Sequence, residues 1–327
     1  DPVNDRVRAQ GLAALNLVRN PAGYAAERER FLEFFREYYF PAMTRFGAND
    51  LAELGKLRQD LFSQFLWRTS SAEMQKDLTD VAFEKMRGVV VSRQKNYHPA
   101  VRYNAILIIG LLDEQYPIEA GQNRRPSKPL KEANALLTQV VGAAGDGKAV
   151  DSALLVGALV GLERHARFRE LLDRDAPNAM TAALLKLAAQ EKVAPQADRQ
   201  VSEWIRVQTA STLAKLGSPG QNGEVLAALL KMLDGESEPK LLLDNRCLVA
   251  AQLGRLNPRG GRTEGAATAE SILALVDDVA TAEAKEAKGF EQLHLGGMAM
   301  GPPPKGRAKL DPATRQPVYA RRTLLTR

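Results

Sequence analysis

The 327-residue sequence predicts an all-α protein, a stack of paired helices closed at its N-terminal side by a helical cap. Three observations lead there. Apolar residues recur at helical spacing along most of the chain. Ala and Leu, strong helix formers, are plentiful, while Trp and Cys are scarce. A helix–loop–helix unit also returns with the same residue types at the same places. No stretch alternates apolar and polar residues long enough to suggest a sheet.

The elements follow in order. Phe31, Phe34, Phe35, Tyr38 and Tyr39 fall at i, i+3, i+4, i+7 and i+8, one face of a helix that Pro41 should end. A second helix should start at Asn49 or Asp50 and carry Leu51, Leu54, Leu57, Leu61, Phe62 and Phe65 as its apolar stripe. Ser70-Ser71-Ala72-Glu73 reads as a capping box opening a third, with Met74, Leu78, Val81 and Val89 on its buried side. Seven of the nineteen aromatic residues lie between Phe31 and Phe46, so residues 1–95 are assigned as the cap that covers the apolar end of the stack.

Residues 96–288 read as shorter helices in pairs. His98-Pro99 sets a proline in a first helical turn, where its missing N–H costs nothing. Ala100 to Leu112 then pairs with Leu130 to Val141 across a turn-rich loop at 121–127. Three further pairs follow: Asp151 to Leu162 with Asn178 to Gln190, Val201 to Leu216 with Gly223 to Leu233, and Leu241 to Leu256 with Ala269 to Lys285. Residues 289–317 read as a Gly/Pro-rich linker, and 318–327 as the start of a further helix.

The first helices of the pairs superpose. Val101-Arg102-Tyr103-Asn104-Ala105 continues to Ile109-Gly110 and Leu112; Ile205-Arg206-Val207-Gln208-Thr209 to Leu213-Ala214 and Leu216; Asn245-Arg246-Cys247-Leu248-Val249 to Leu253-Gly254 and Leu256. This pattern resembles the first helix of HEAT repeats, Val-Arg-x-x-Ala-x-x-x-Leu-Gly-x-Leu, from about residue 96 to 278. The pair starting at Asp151 departs from it, with Ser152 where the arginine belongs. The resemblance implies a right-handed alpha-alpha superhelix, a HEAT/armadillo-like solenoid whose second helices line the concave side. It also implies that Arg102, Arg206 and Arg246 bridge adjacent repeats by hydrogen bonds to neighbouring carboxylates or carbonyls rather than forming an anion-binding row.

Chemistry finds little purchase in these residues. Three scattered histidines, one cysteine (Cys247, expected buried and inert) and no His-Glu-x-x-His, Gly-x-Ser-x-Gly or calcium loop leave no catalytic or metal signature. His98 is expected to cap or pack at a helix start, His165 to sit as a cation at a helix C-terminus, and His294 to flank the linker. The glycines at 142–147 have the wrong spacing for a phosphate-binding loop. HEAT-like iron hydroxylases need His-Glu pairs, which this chain lacks; bilin-lyase relatives share the repeat without a transferable signature. A DNA glycosylase of this kind needs a groove like the one Glu203, Trp204 and Arg206 could begin, although Trp204 is expected to pack between repeats.

Charge has a place as well as a sum. From Pro302 onward seven basic residues face the single Asp311, which accounts for the whole net charge of +6 and leaves residues 1–301 close to neutral. The expectation is therefore a noncatalytic scaffold or adaptor that binds another protein through its solenoid surface, with no cofactor. Binding of nucleic acid or another polyanion by the basic tail is one alternative, and a HEAT-like lyase or glycosylase another. Lys131, Asn134 and Thr138 form a polar stripe at i, i+3 and i+7, with Lys186 and Lys231 as counterparts in later pairs. These five are the candidate partner surface. No run of residues suits a membrane span, and a start at Asp1 without an initiator Met suggests a processed or excised piece, with removal of an export signal, to the periplasm or cell envelope, as the favoured of the two accounts.

Overall fold

A computed structural model describes residues 2–92, 97–118, 125–190, 198–220, 222–235, 240–256 and 262–295, with side chains placed from residue 5 to 256 and 265 to 285 within those ranges. It is mostly helical and falls into two compact units, residues 1–187 and 188–327. The basic tail, the 318–327 helix and most of the expected linker lie outside the described residues.

The first unit opens with α1 (Pro2–Arg19), which no expected helix covers, and α2 (Tyr24–Phe34), which begins seven residues before the first residue of the apolar face, Phe31. A π-helical turn, Phe35–Tyr39, links α2 to the single turn α3 (Phe40–Ala42), and a second, Leu61–Leu66, ends α4 (Ala48–Asp60). Pro41 thus sits inside the last turn rather than stopping the helix before it. The wide turns reset the apolar register: residues five apart become neighbours, so Phe35 and Phe40 have ring centroids 6.0 Å apart and Phe62 and Trp67 5.5 Å. Phe40 is buried in consequence, and Tyr38 is only half-buried. The two π turns meet edge to face through Phe35 and Phe65 at 5.0 Å, and Tyr39 donates to the Leu57 carbonyl at 2.8 Å.

In α5 (Ala72–Val91) the cap is Ser71, whose Oγ accepts from Met74 N–H at 3.2 Å. Glu73 therefore lies in the first turn, one residue nearer the cap than the expected box required. Asp77 of α5 receives both Tyr24 and Arg28 of α2, at 2.6 to 2.8 Å, which ties α2 to α5.

Next come α6 (Pro99–Leu111), α7 (Lys131–Gly145), α8 (Ser152–Arg167) and α9 (Ala176–Ala188). His98 caps α6, its Nδ1 accepting from Ala100 N–H at 3.2 Å, and Asp151 caps α8. Small residues allow the close crossing of α6 and α8: a Cβ on Gly110 would stand 2.8 Å from the Gly161 Cα, and one on Gly157 only 2.3 Å from Ile106. Between α6 and α7 the structure adds an unexpected two-stranded hairpin, β1 (Asp113–Gln115) with β2 (Lys128–Pro129). Such short strands are too brief to show alternation.

In the second unit, α10 (Arg199–Leu216) runs from its Asp198 cap to Gly217, whose φ of 75° suits a residue without a side chain. Then come α11 (Glu224–Leu233), α12 (Leu243–Leu253) and α13 (Arg262–Leu295). The long α13 takes in residues 289–295, expected in the linker.

The three recurring arginines each donate to a backbone carbonyl. Arg102 donates to the Val90 carbonyl at 3.1 Å, Arg206 to that of Gln190 at 2.6 Å and Arg246 to that of Leu233 at 2.7 Å. Each thus takes a backbone carbonyl in the last turn of the preceding helix or just beyond it. Arg102 also reaches Asp151 at 3.5 Å and Arg246 reaches Asp278 at 2.8 Å.

Candidate functional site

Helices α7 and α9 are the second members of consecutive pairs and run in the same direction. At their C-terminal ends they touch: a Cβ on Gly145 would come 2.8 Å from Lys186 Cβ and from the Leu187 nitrogen. Toward their N-terminal ends a groove of about 620 Å³ lies between them, a size typical of binding pockets. Ala135 and Gly142 of α7 and Ala176, Ala179, Ala182 and Ala183 of α9 line it, with Leu171 and Leu172 contributing bulk from the turn before α9. Alanines are too short to fill the space between two helix backbones, so the groove follows directly from the residues at the seam.

An ion pair crosses the groove at each end. Lys131 of α7 meets Asp173 at 2.8 Å, and Lys186 of α9 meets Asp146 at 2.8 Å. Each pairing favours its charged forms: Asp173 holds the Lys131 ammonium above its ordinary pKa, while Lys131 and Lys186 hold Asp173 and Asp146 below theirs.

The floor is held by one amide. Asn134 is buried at 4% exposure and donates to His165 Nδ1 of α8 at 3.1 Å and to Met180 Sδ of α9 at 3.2 Å. A single side chain of α7 therefore ties three helices beneath the groove. Burial, helped by the nearby Arg164 charge, lowers the His165 pKa to about 3, so the ring is neutral at ordinary pH. Beside Asn134, the Thr138 hydroxyl is buried and has no hydrogen-bond partner among the described residues.

The hairpin supplies the outer wall through Glu114, Lys128 and Pro129. It is anchored by Asp113, which takes Arg164 Nη2 on both carboxylate oxygens at 2.8 and 2.7 Å. Burial pushes the Asp113 carboxyl up to about 6 against the opposing pull of Arg164.

Four of the five candidates from sequence, Lys131, Asn134, Thr138 and Lys186, line this one groove. Lys231 is exposed on α11 of the second unit and does not line it. Two expectations need correction. Asn134 is part of the packed floor rather than of a solvated stripe, because it lies where α8 and α9 both approach α7. His165 is a buried neutral group rather than an end-of-helix cation, because α8 continues to Arg167 and carries it into the packing.

The arrangement at Glu203 is also structural. Its buried carboxylate accepts from Arg199 at 2.7 Å and from Asn245 of α12, holding α10 to α12. Trp204, expected between repeats, is 38% exposed. Cys247 is buried, as expected. Among the described residues no group of three or more His, Cys, Asp or Glu could hold a metal ion, and no helix is long and apolar enough to cross a membrane.

Comparison with models of protein families, with curated proteins and with solved structures finds no match.

Proposed function

We propose that the chain is a noncatalytic adaptor of HEAT-like solenoid form that docks a partner protein in the groove between α7 and α9. The observation that carries this reading is the groove itself. It is an alanine-lined trough with charged ends, formed by two consecutive second helices, the face that the HEAT resemblance assigns to binding. Its carboxylates support binding over acid–base chemistry. Asp173 and Asp146 are held ionised by lysines, whereas a general acid needs a raised pKa. The neutral His165 lies behind Asn134.

A photocrosslinking residue in place of the exposed Gln139, introduced into the whole chain, tests this in native extract. The expected result is a discrete protein adduct that survives nuclease and falls away when Ala179→Trp plugs the groove. An adduct indifferent to the plug, or one made of nucleic acid, would overturn it.

A further inference from the structure

We infer that the groove takes a short amphipathic α-helix of the partner, seated antiparallel to α7 and α9, with an acidic first turn and a basic last turn. The inference rests on the adaptor reading and adds the chemistry and direction of the occupant. Length and width come from the trough. Its α7 side runs from Lys131 to Gly142, eleven residues on, or about 16 Å at the helical rise. That matches about three turns of a guest helix. Alanines on the facing wall let a third backbone approach to the close end of helix packing distances, and the guest's larger apolar side chains at i, i+3, i+4 and i+7 would fill the space they leave.

Direction comes from charge. At the N-terminal end of the trough Glu114, Asp173 and Asp175 outnumber Lys128 and Lys131. Glu132 and Arg174, which flank that end without lining it, offset each other. At the C-terminal end Lys186 and Lys148 stand around the single Asp146. Helices favour acidic residues in their first turn and basic ones in their last. A guest of that composition meets complementary side chains at both ends only when its N-terminus lies over the C-terminal ends of α7 and α9. The helix dipoles agree, since the guest then runs against both of its neighbours. Midway, the Thr138 hydroxyl, which has no partner among the described residues and reaches the trough on rotation about χ1, and the exposed Gln139 amide provide for one hydrogen-bonding residue within the guest's apolar stripe.

Two labelled helical peptides of about 14 residues, roughly four turns, test this against the whole chain by fluorescence anisotropy. They share an apolar stripe with one central Gln and differ only in having the acidic turn first or the basic turn first. The acid-first peptide should bind about fivefold more tightly, as expected of two or three exposed ion pairs. Asp173→Lys with Lys186→Glu should reverse that preference. Ala135→Trp and Ala182→Trp, both at exposed positions, should each abolish binding while the melting temperature holds. Equal affinities, or a preference that the charge exchange leaves in place, would overturn the direction. Binding of neither peptide while the plug-sensitive crosslink persists overturns the helix and spares the groove; loss of that crosslink as well overturns both.

Discussion

The helix pairs α6/α7 and α8/α9 meet along two seams that differ in kind. Where α6 crosses α8, glycine faces glycine, and Ile106 and Leu137 pack into the space left above Gly157 and Gly161. Where α7 runs beside α9, small residues again line the contact; Met180 meets Asn134 beneath it, and the trough above them stays open. The same economy of side-chain volume gives a closed core on one side and an open trough on the other. What decides is whether a neighbouring apolar side chain is placed to fill the gap. A close-packed seam stabilises the fold, and an unfilled one leaves contact energy for a guest to supply.

The sharpest way to break the comparison is the same substitution in each seam. Gly110→Ala puts a methyl group 2.8 Å from the Gly161 Cα, where backbone must move. It should destabilise the protein by about 2 kcal/mol even after the gain in helix propensity. A Cβ on Gly142 would stand 3.7 Å from that of Ala183, an ordinary contact. Gly142→Ala should therefore stabilise by up to about 1 kcal/mol from propensity alone. Urea unfolding of both variants measures the difference, and equal signs would erase the distinction between the seams.

A subtler contrast lies in the titrating groups behind the two seams. Asp113 has its pKa raised to about 6, so between pH 4 and 6 the native protein holds a proton that the unfolded chain has released. This contribution to stability falls as pH rises through that window. His165, lowered to about 3, does the reverse: the unfolded chain is protonated where the native ring is neutral, and its contribution rises with pH. Each slope is about 1.4 kcal/mol per pH unit, and between pH 4 and 6 they oppose each other. His165→Asn should leave a protein that gains stability on acidification from pH 6 to 4, relative to wild type. Asp113→Asn should leave one that loses it. Unfolding free energies measured across that range check both signs.

Much of this was legible in the chain because helices write their packing into a regular spacing. The apolar stripes from Leu51 and Leu130, the cap at His98 and the bridging arginines can all be read from residue type and interval, while the cap of α5 falls on Ser71, one residue past the Ser70 that the box pattern marks. The groove-lining residues Lys131, Thr138 and Lys186 were legible for the same reason. The groove was not. It depends on Ala135 facing Ala179 and Ala182 across two elements, and alanine looks the same in a filled seam as in an empty one. The π turns hid Phe40 from a periodic reading, since one extra residue per turn shifts every later side chain. Asn134 and His165 could be found only jointly, as a pair 31 residues apart whose amide and ring meet under the trough.

The smallest expected effect is the one that separates the groove from the rest of the core most cleanly. The Thr138 hydroxyl is buried without a partner among the described residues, and a buried polar group left unpaired is a net cost in the free protein. Thr138→Val keeps the shape and removes that cost, so it should leave stability unchanged or raise it by up to about 1 kcal/mol. A hydroxyl retained only for packing would have no further consequence. A hydroxyl that meets a guest would show itself as weaker binding of the acid-first peptide at equal or greater stability. Stability and affinity would then move in opposite directions at one side chain, which loss of fold cannot imitate.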